Sequence, residues 1–280
     1  MRVTDSKAHI VGECPLWDEK RRLLYTIDIR GKFVRCLDWA SGEITQRDYG
    51  QELGCIALTD DGSLLMAMTD GIYIDSGSGK AELFSRPERM LGRRFNDGKA
   101  GPDGRFYVGT TDYSGAGAFY RLDKTGRTEL LFDRVACSNG LAWSRDGKTM
   151  YYCDSLAKKL EAFDFDMAGG TLSNRRTLLP FPLESGEFDG MCMDAEGQLW
   201  TAVWGAHCVL RIDPLKLRVT DRLDFPVKRM SCTCFAGDEL DTLVVTSAAY
   251  QSENDAEPLA GCTFAVRPGV TGLPSYRFAL

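Results

Sequence analysis

The sequence predicts an all-β protein, a six-bladed β-propeller with four-stranded blades around a central channel. Short runs rich in β-branched and aromatic residues recur along the chain, for example LLYTIDI (23–29) and TMYYCDS (149–155). Long amphipathic helix patterns are absent, which disfavours folds that alternate strands with helices. The strands come in units of about 40–45 residues, the repeat length of a propeller blade.

The repeat is clearest in the residues that open its units. Six residues do so, at spacings of 42, 41, 43, 50 and 42: Glu13, Cys55, Asn96, Asn139, Asp189 and Ser231. Each unit continues as an apolar strand into a turn, often with an acidic residue before Gly, as at Asp61-Gly62 and Asp146-Gly147. The extra residues before Asp189 lie in 174–187 and predict a longer loop. We expect residues 1–4 and 262–266 to pair in one blade and close the ring.

Length and composition are ordinary for a globular protein. The 280 residues are 44% hydrophobic and 26% charged, and the repeat covers nearly all of them, so we predict one domain, 1–280. The 34 Lys and Arg against 40 Asp and Glu leave a net charge of −6, without a basic run. This argues against nucleic acid or an anionic membrane as a partner. The N-terminus shows no apolar export signal, so we expect a cytoplasmic protein with reduced cysteines.

The shared phase of the opening residues predicts a site. In a propeller the innermost strands line the channel, so equivalent positions on them converge at one end of it. Taken alone, Glu13, Asn139 and Asp189 each look like turn residues. Taken together they bring two carboxylates and an amide to one cavity, with Asn96 as a fourth polar member. Such oxygen donors suit a hard divalent cation.

The motifs resemble those of the SMP-30/gluconolactonase/LRE-like family. They occur in the family's order and span nearly the whole chain: GECPLW (12–17), RRFNDGK (93–99), SNGLAWS (138–144), FDGMCMDAEGQLW (188–200), TSAAY (246–250) and GVTGLPSYRFA (269–279). Any one of them is weak, but the set is highly specific.

The resemblance implies a metal-dependent sugar lactonase, a hydrolase of carboxylic ester bonds that opens an aldonolactone such as gluconolactone to the aldonic acid. It implies that Glu13, Asn139 and Asp189 bind one divalent metal, which is Ca, Zn, Mn, Fe or Mg. Asp189 would also act as the general base. Arg94 and Asn96 of the RFND motif would contact the substrate.

One departure from the family leaves the substrate open. Some animal members carry a substrate-binding Glu where this chain reads TTDYSGAGAFYRL (110–122), and Asp112 or Tyr113 could take its place. His207 is either an exposed turn residue or a contact at the pocket rim. Neutral, uronic and sulfonated lactones all remain candidates, and the oligomeric state is open.

Two alternative functions use the same residues. The ligand set could serve a non-catalytic calcium-binding propeller, or a hydrolase of other esters or phosphotriesters. A strictosidine-synthase-like propeller is disfavoured by the intact metal-ligand set.

Overall fold

Six four-stranded antiparallel sheets surround a central channel in the computed structural model, which describes residues 1–250 and 257–280. The innermost strands of neighbouring sheets contact one another in order, and the sixth contacts the first. The predicted all-β, six-bladed propeller is confirmed.

Each blade runs from its innermost to its outermost strand, and only the sixth takes a strand from the other end of the chain. The strands of blades 1 to 3 are β2 (Gly12–Asp18), β3 (Leu23–Asp28), β4 (Phe33–Asp38) and β5 (Ile44–Asp48); β6 (Leu53–Leu58), β7 (Leu64–Met68), β8 (Ile72–Asp75) and β9 (Glu82–Ser85); β10 (Arg94–Ala100), β11 (Phe106–Thr111), β12 (Gly117–Leu122) and β13 (Thr128–Val135). Those of blades 4 to 6 are β14 (Ser138–Trp143), β15 (Thr149–Asp154), β16 (Lys159–Asp166) and β17 (Thr171–Pro180); β18 (Glu187–Met193), β19 (Leu199–Trp204), β20 (Cys208–Asp213) and β21 (Arg218–Asp224); β22 (Met230–Ala236), β23 (Thr242–Ser247), β24 (Thr263–Val266) and β1 (Arg2–Asp5).

The hairpin turns after the innermost strands follow the predicted chemistry. Gly62, Gly104 and Gly147 all have positive φ, the region that glycine occupies without steric cost. The acidic residue before each glycine closes the turn, as where Asp146 accepts a hydrogen bond of 3.1 Å from the backbone N–H of Lys148. These turns lie at the ends of the innermost strands opposite to the residues that open the units.

The predicted closure of the ring is also confirmed, since β1 pairs antiparallel with β24 in blade 6. The segment between β1 and β2 secures the join through His9, which is fully buried. Its backbone N–H donates to Gly261 O at 2.9 Å, and its carbonyl accepts from Ala249 N at 3.1 Å. Its ring nitrogens lie 3.0 Å from Gly261 O and 3.3 Å from Thr26 Oγ1.

The longer loop predicted in residues 174–187 is only partly right. Most of the extra length is strand, because β17 has ten residues and extends to Pro180. Its register against β16 shifts twice, so the additional residues are absorbed by bulges in an exposed outer strand. A polar, outermost strand carries little hydrophobic alternation, and its sequence therefore resembles a loop.

All ten cysteines are free thiols, and most are buried among apolar side chains. Within the described part of the chain, the single 3-10 turn, Ser155–Ala157, is the only helical element. No described helix is therefore long and apolar enough to cross a membrane.

Protonation of His9 should weaken the ring closure. Burial, and then the neighbouring Arg35 guanidinium, lower the pKa of His9. The stability that neutral His9 provides is therefore complete above the unfolded pKa of about 6.5 and is lost as the pH falls through the folded pKa. We expect wild type to lose unfolding free energy relative to His9→Gln between about pH 7.5 and pH 5, measured by chemical denaturation.

His207→Gln is the control for this experiment, because His207 lies in a turn with its side chain 48% exposed. This variant should follow the wild-type pH dependence. If the His9→Gln and wild-type profiles are parallel, the burial of His9 does not govern the acid sensitivity of the closure.

Candidate metal centre

A cavity of about 330 Å³ opens at the end of the channel where the innermost strands begin. Four of the six residues that open the repeat units line it: Glu13, Asn96, Asn139 and Asp189. The other two are buried outside it. Cys55 packs in the apolar core, and the Ser231 hydroxyl donates to Gly12 O at 2.5 Å, next to Glu13.

A β-bulge at this level interrupts every innermost strand, and it aims the site residues into the channel. The register against the second strand shifts between the following residues: Glu13 and Leu16, Leu53 and Cys55, Phe95 and Gly98, Asn139 and Leu141, Phe188 and Met191, and Met230 and Thr233. A bulge turns a side chain away from the regular alternation of a strand. Asn-Gly and Asp-Gly at the start of β14 and within β18 are therefore bulges, which sequence reasoning did not identify.

Glycine is required at the bulges of β14 and β18 because neighbouring blades approach closely there. A Cβ on Gly140 would clash with the backbone carbonyl of Asp189, and a Cβ on Gly190 would clash with Cys232. The absence of a side chain at Gly140 brings β14 and β18 together, so that Asn139 and Asp189 share one cavity.

A chain of hydrogen bonds orients the two amides across three blades. Arg94 Nη1 donates to Asn96 Oδ1 at 2.7 Å, and Asn96 Nδ2 donates to Asn139 Oδ1 at 3.2 Å. Asn139 Nδ2 donates to Ser155 Oγ at 2.8 Å, and that hydroxyl donates to Phe188 O at 2.7 Å. Because its N–H group is engaged by Ser155, Asn139 presents its carbonyl oxygen to the cavity.

Ser155 was not predicted as part of the site. It lies just after β15, in the 3-10 turn, where the Asp154 side chain accepts from the backbone N–H of Leu156. The only sequence signal for it is a Ser directly after the second strand of a blade.

The carboxylates of the site are buried close to one another. Glu13 is 9% exposed and Asp189 is 4% exposed. Burial, followed by the charge of Asp97, raises the pKa of Glu13 to about 8. Burial, followed by the charges of Glu13 and Asp97, raises the pKa of Asp189 well above its usual range.

Asp97 is a third buried carboxylate at this level, and sequence reasoning missed it. Its Oδ1 accepts from Gly98 N at 2.9 Å, whereas its Oδ2 is buried with no hydrogen-bond partner. Among the described residues no Lys, Arg or His nitrogen lies within ion-pair distance of Glu13, Asp97 or Asp189. The available sequence signal for Asp97 was its position directly after Asn96 in the RFND motif.

This donor set fits a divalent cation. Buried like charges without a counter-ion are costly, and two carboxylates with an amide oxygen are the ligands that hard cations prefer. No three His, Cys, Asp or Glu side chains in residues 1–250 and 257–280 form a metal-binding cluster. A site here therefore depends on the amide oxygen of Asn139 beside Glu13 and Asp189.

Lys99 lies further along β10, toward the other end of the channel. Its ammonium group donates to Met191 O, and its charge opposes the rise that burial causes in the pKa of Asp97. It lines a second, smaller cavity of about 90 Å³, to which all six innermost strands and residues 273–276 contribute.

The remaining predicted residues divide between the cavity and the surface. Arg94 lines the cavity with its side chain 15% exposed, and Tyr113 lines it as well. Asp112 instead closes its own loop by accepting from the backbone N–H groups of residues 114–116. His207 does not line the cavity, and its Nδ1 lies 3.7 Å from Glu257 Oε1.

Comparisons with known proteins agree with this architecture. Residues 11–249 match the SMP-30/Gluconolactonase/LRE-like region. Regucalcin of Danio rerio is 37% identical, covering 96% of this chain and 94% of its own. A Bacillus subtilis (strain 168) protein, provisionally named a sugar lactone lactonase, is 32% identical, covering 98% of this chain and 97% of its own.

The structure of a calcium-binding protein, regucalcin, from Agrobacterium tumefaciens superposes with a TM-score of 0.93 at 28% identity, covering 100% of this chain and 97% of that one. The match spans most of the chain and includes the strands that carry Glu13, Asn139 and Asp189. The chain therefore belongs to the SMP-30/gluconolactonase/LRE-like family.

Proposed function

We propose that the chain is a metal-dependent hydrolase of sugar lactones. The observation that carries this proposal is the pair of buried carboxylates, Glu13 and Asp189, beside the Asn139 amide in a cavity of about 330 Å³. A cavity near this size suits a small molecule such as a single sugar ring. The names of relatives point to the same chemistry, as in the Bacillus subtilis protein.

Glu13, Asn139 and Asp189 would hold one divalent cation. When bound, such a cation supplies Lewis-acid polarisation of the lactone carbonyl. The native cation is among Ca, Zn, Mn, Fe and Mg, and the regucalcin structure described as calcium-binding favours Ca.

Asp189 would take the proton that the attacking water loses, because its buried carboxylate lines the cavity beside Asn139 and a bound cation would keep it ionised. Water adds to the carbonyl carbon and the bond to the ring oxygen breaks. The proton that Asp189 took from the water passes to the ring oxygen, which leaves as a hydroxyl group. Arg94 and Asn96 would bind the sugar and orient the carbonyl, since their hydrogen bonds to each other and to Asn139 fix both side chains.

The described residues offer no activated nucleophile for a covalent route. The Ser155 hydroxyl lines the cavity, but it donates to Phe188 O and accepts from Asn139. Burial raises the pKa of the Cys137 thiol to about 12, so that it stays protonated near neutral pH. Direct attack by water is therefore the route that the cavity residues favour.

Replacing Asp189 should remove activity without unfolding the protein. We expect Asp189→Asn to reduce kcat by about 100-fold or more on any lactone that wild type hydrolyses, since the general base is lost. Proton release during hydrolysis of a lactone panel, with each of the five metals supplied, measures this. Asp146→Asn, at a hairpin turn outside the cavity, should keep wild-type kcat.

Three outcomes would contradict parts of this proposal. Full activity in Asp189→Asn would reject Asp189 as the base. If wild type hydrolyses no lactone with any metal but still binds calcium, the non-catalytic calcium-binding function replaces the lactonase. Turnover of phosphotriesters or simple esters alone would favour the other hydrolase.

The cation should reverse a pH-dependent loss of stability. The folded pKa of Glu13, about 8, lies above its unfolded value, so its stabilising contribution is complete below about pH 4.5 and is lost as the pH rises through 8. In a chelator we expect the Tm of wild type to fall between about pH 5 and pH 9, and the Tm of Glu13→Gln to fall less. Calcium should raise the wild-type Tm at pH 9 by about 5 °C or more, without effect on Glu13→Gln.

Differential scanning fluorimetry with and without calcium measures both effects. The control is Glu129→Gln, on the outer strand β13, whose side chain is 45% exposed. An equal calcium shift in Glu13→Gln and wild type would place the cation elsewhere.

A further inference from the structure

A second groove lies beside the metal-centre cavity, over blades 1 to 3. The groove has a volume of about 500 Å³ and shares Arg30, Arg94 and Tyr113 with the cavity. Lys32, Glu52 and Arg93 extend its lining away from the carboxylates. The groove therefore borders the cavity at Arg30, Arg94 and Tyr113, close enough for a substituent of a bound sugar to meet its cations.

The groove carries an excess of positive charge on an acidic protein. Four cations line it, namely Arg30, Lys32, Arg93 and Arg94, against two carboxylates, so its lining has a net charge of 4 − 2 = +2. The net charge of the whole chain is −6.

The two carboxylates neutralise only part of this charge. Glu52 is shared, since it lies 3.0 Å from Arg30 Nη1 and 3.5 Å from Arg94 Nε. Asp70 pairs with Arg86, outside the groove. Lys32 and Arg93 are both exposed, and neither has an ion-pair partner among the described residues. The groove thus keeps two cations available to a ligand.

A strained aromatic residue stands where the cavity and the groove meet. Tyr113 has φ +64° and a 60% exposed side chain, although this region is unfavourable for a bulky residue. Five hydrogen bonds from residues 114–116 to the Asp112 carboxylate impose the loop shape. Tyr113 lines both the cavity and the groove together with Arg30 and Arg94, and an aromatic side chain at this junction suits a sugar ring whose polar end points into the groove.

We propose that the groove defined by Arg30, Lys32, Arg93, Arg94 and Tyr113 binds an anionic substituent of the lactone. This inference rests on the proposed function and names its substrate class: sugar lactones with a carboxylate, sulfonate or phosphate at the end distant from the lactone carbonyl. Guanidinium groups bind such oxyanions through paired, charge-assisted hydrogen bonds.

The distribution of charge also orients the substrate. A cation held by Glu13, Asn139 and Asp189 would engage the lactone carbonyl, whereas Lys32 and Arg93 line only the groove and attract an oxyanion there. The anionic end therefore lies over blades 1 to 3, and the carbonyl faces Glu13 and Asp189. A neutral lactone lacks this orienting force, and solvent hydrates Lys32 and Arg93 in its place.

Pairs of lactones that differ at a single carbon test the proposal. Glucono-1,4-lactone and glucaro-1,4-lactone differ in a hydroxymethyl or a carboxylate group, and glucono-1,5-lactone and its 6-phosphate add a phosphate arm. We expect wild type to show a higher kcat/KM for the anionic member of at least one pair. That preference should shrink as ionic strength rises from about 0.02 M to about 0.5 M.

The decisive variant is Lys32→Gln with Arg93→Gln, which leaves the lining of the metal-centre cavity intact. Its ratio of anionic to neutral kcat/KM should fall about tenfold from the wild-type ratio, and a ratio is independent of the fraction of folded protein. The matched control is Arg145→Gln with Lys148→Gln, two exposed residues at a hairpin turn on the opposite end of the channel. It changes the net charge equally and should keep the wild-type ratio.

The outcomes separate this inference from the proposed function. If wild type hydrolyses neutral lactones and prefers them in both pairs, or if the double variant keeps the wild-type ratio, the groove does not select anions and the lactonase function stands. If no member of either pair is hydrolysed with any of the five metals, the proposed function fails and this inference fails with it.

Discussion

The pairing of Arg2–Asp5 with Thr263–Val266 is the interaction on which the site depends. It joins the two ends of the chain in one blade, so that β22 packs against β2 and the ring closes. The Ser231 hydroxyl then bonds to Gly12 O beside Glu13. Without this closure blades 1 and 6 would separate, and Glu13 would no longer share an enclosed cavity with Asp189. The stability of the fold and the geometry of the metal centre therefore have a common origin.

Within the closed ring, the site itself opposes folding. Glu13, Asp97 and Asp189 would be more stable in water than buried beside one another, and the six bulged strands hold them together nevertheless. The cost is met by apolar packing between blades, as around Trp143, Tyr107 and Phe165. Lys99 offsets this electrostatic cost for Asp97 alone, because its ammonium group lies toward the other end of the channel. A site that is unfavourable when empty binds a divalent cation more readily, because the cation relieves the repulsion on binding.

The repeat made the ring and the positions of the cavity residues predictable, since equal spacing along the chain becomes equivalence around an axis. Glu13, Asn139 and Asp189 could be found this way because each opens a unit. Asp97 and Ser155 could not, because their positions depend on a bulge and on a 3-10 turn, and neither has a periodic signal. The Asn-Gly and Asp-Gly pairs were ambiguous, since glycine serves turns and bulges for the same conformational reason. Only the close approach of the neighbouring blade at Gly140 distinguishes the two.

The residues of the basic groove are the least predictable from sequence, and the architecture explains why. Arg30 and Lys32 belong to the turn between the second and third strands of blade 1, whereas Arg93 and Tyr113 flank strands of blade 3. These segments meet when blades 1 to 3 pack side by side, and no spacing rule relates them. The channel ligands are constrained by the repeat, but the turns above them vary without disturbing it. A propeller can therefore keep its channel residues while the charge of its rim changes, and here a groove with a net positive charge lies on an acidic chain. The charge of the rim can thus vary independently of the side chains that line the channel.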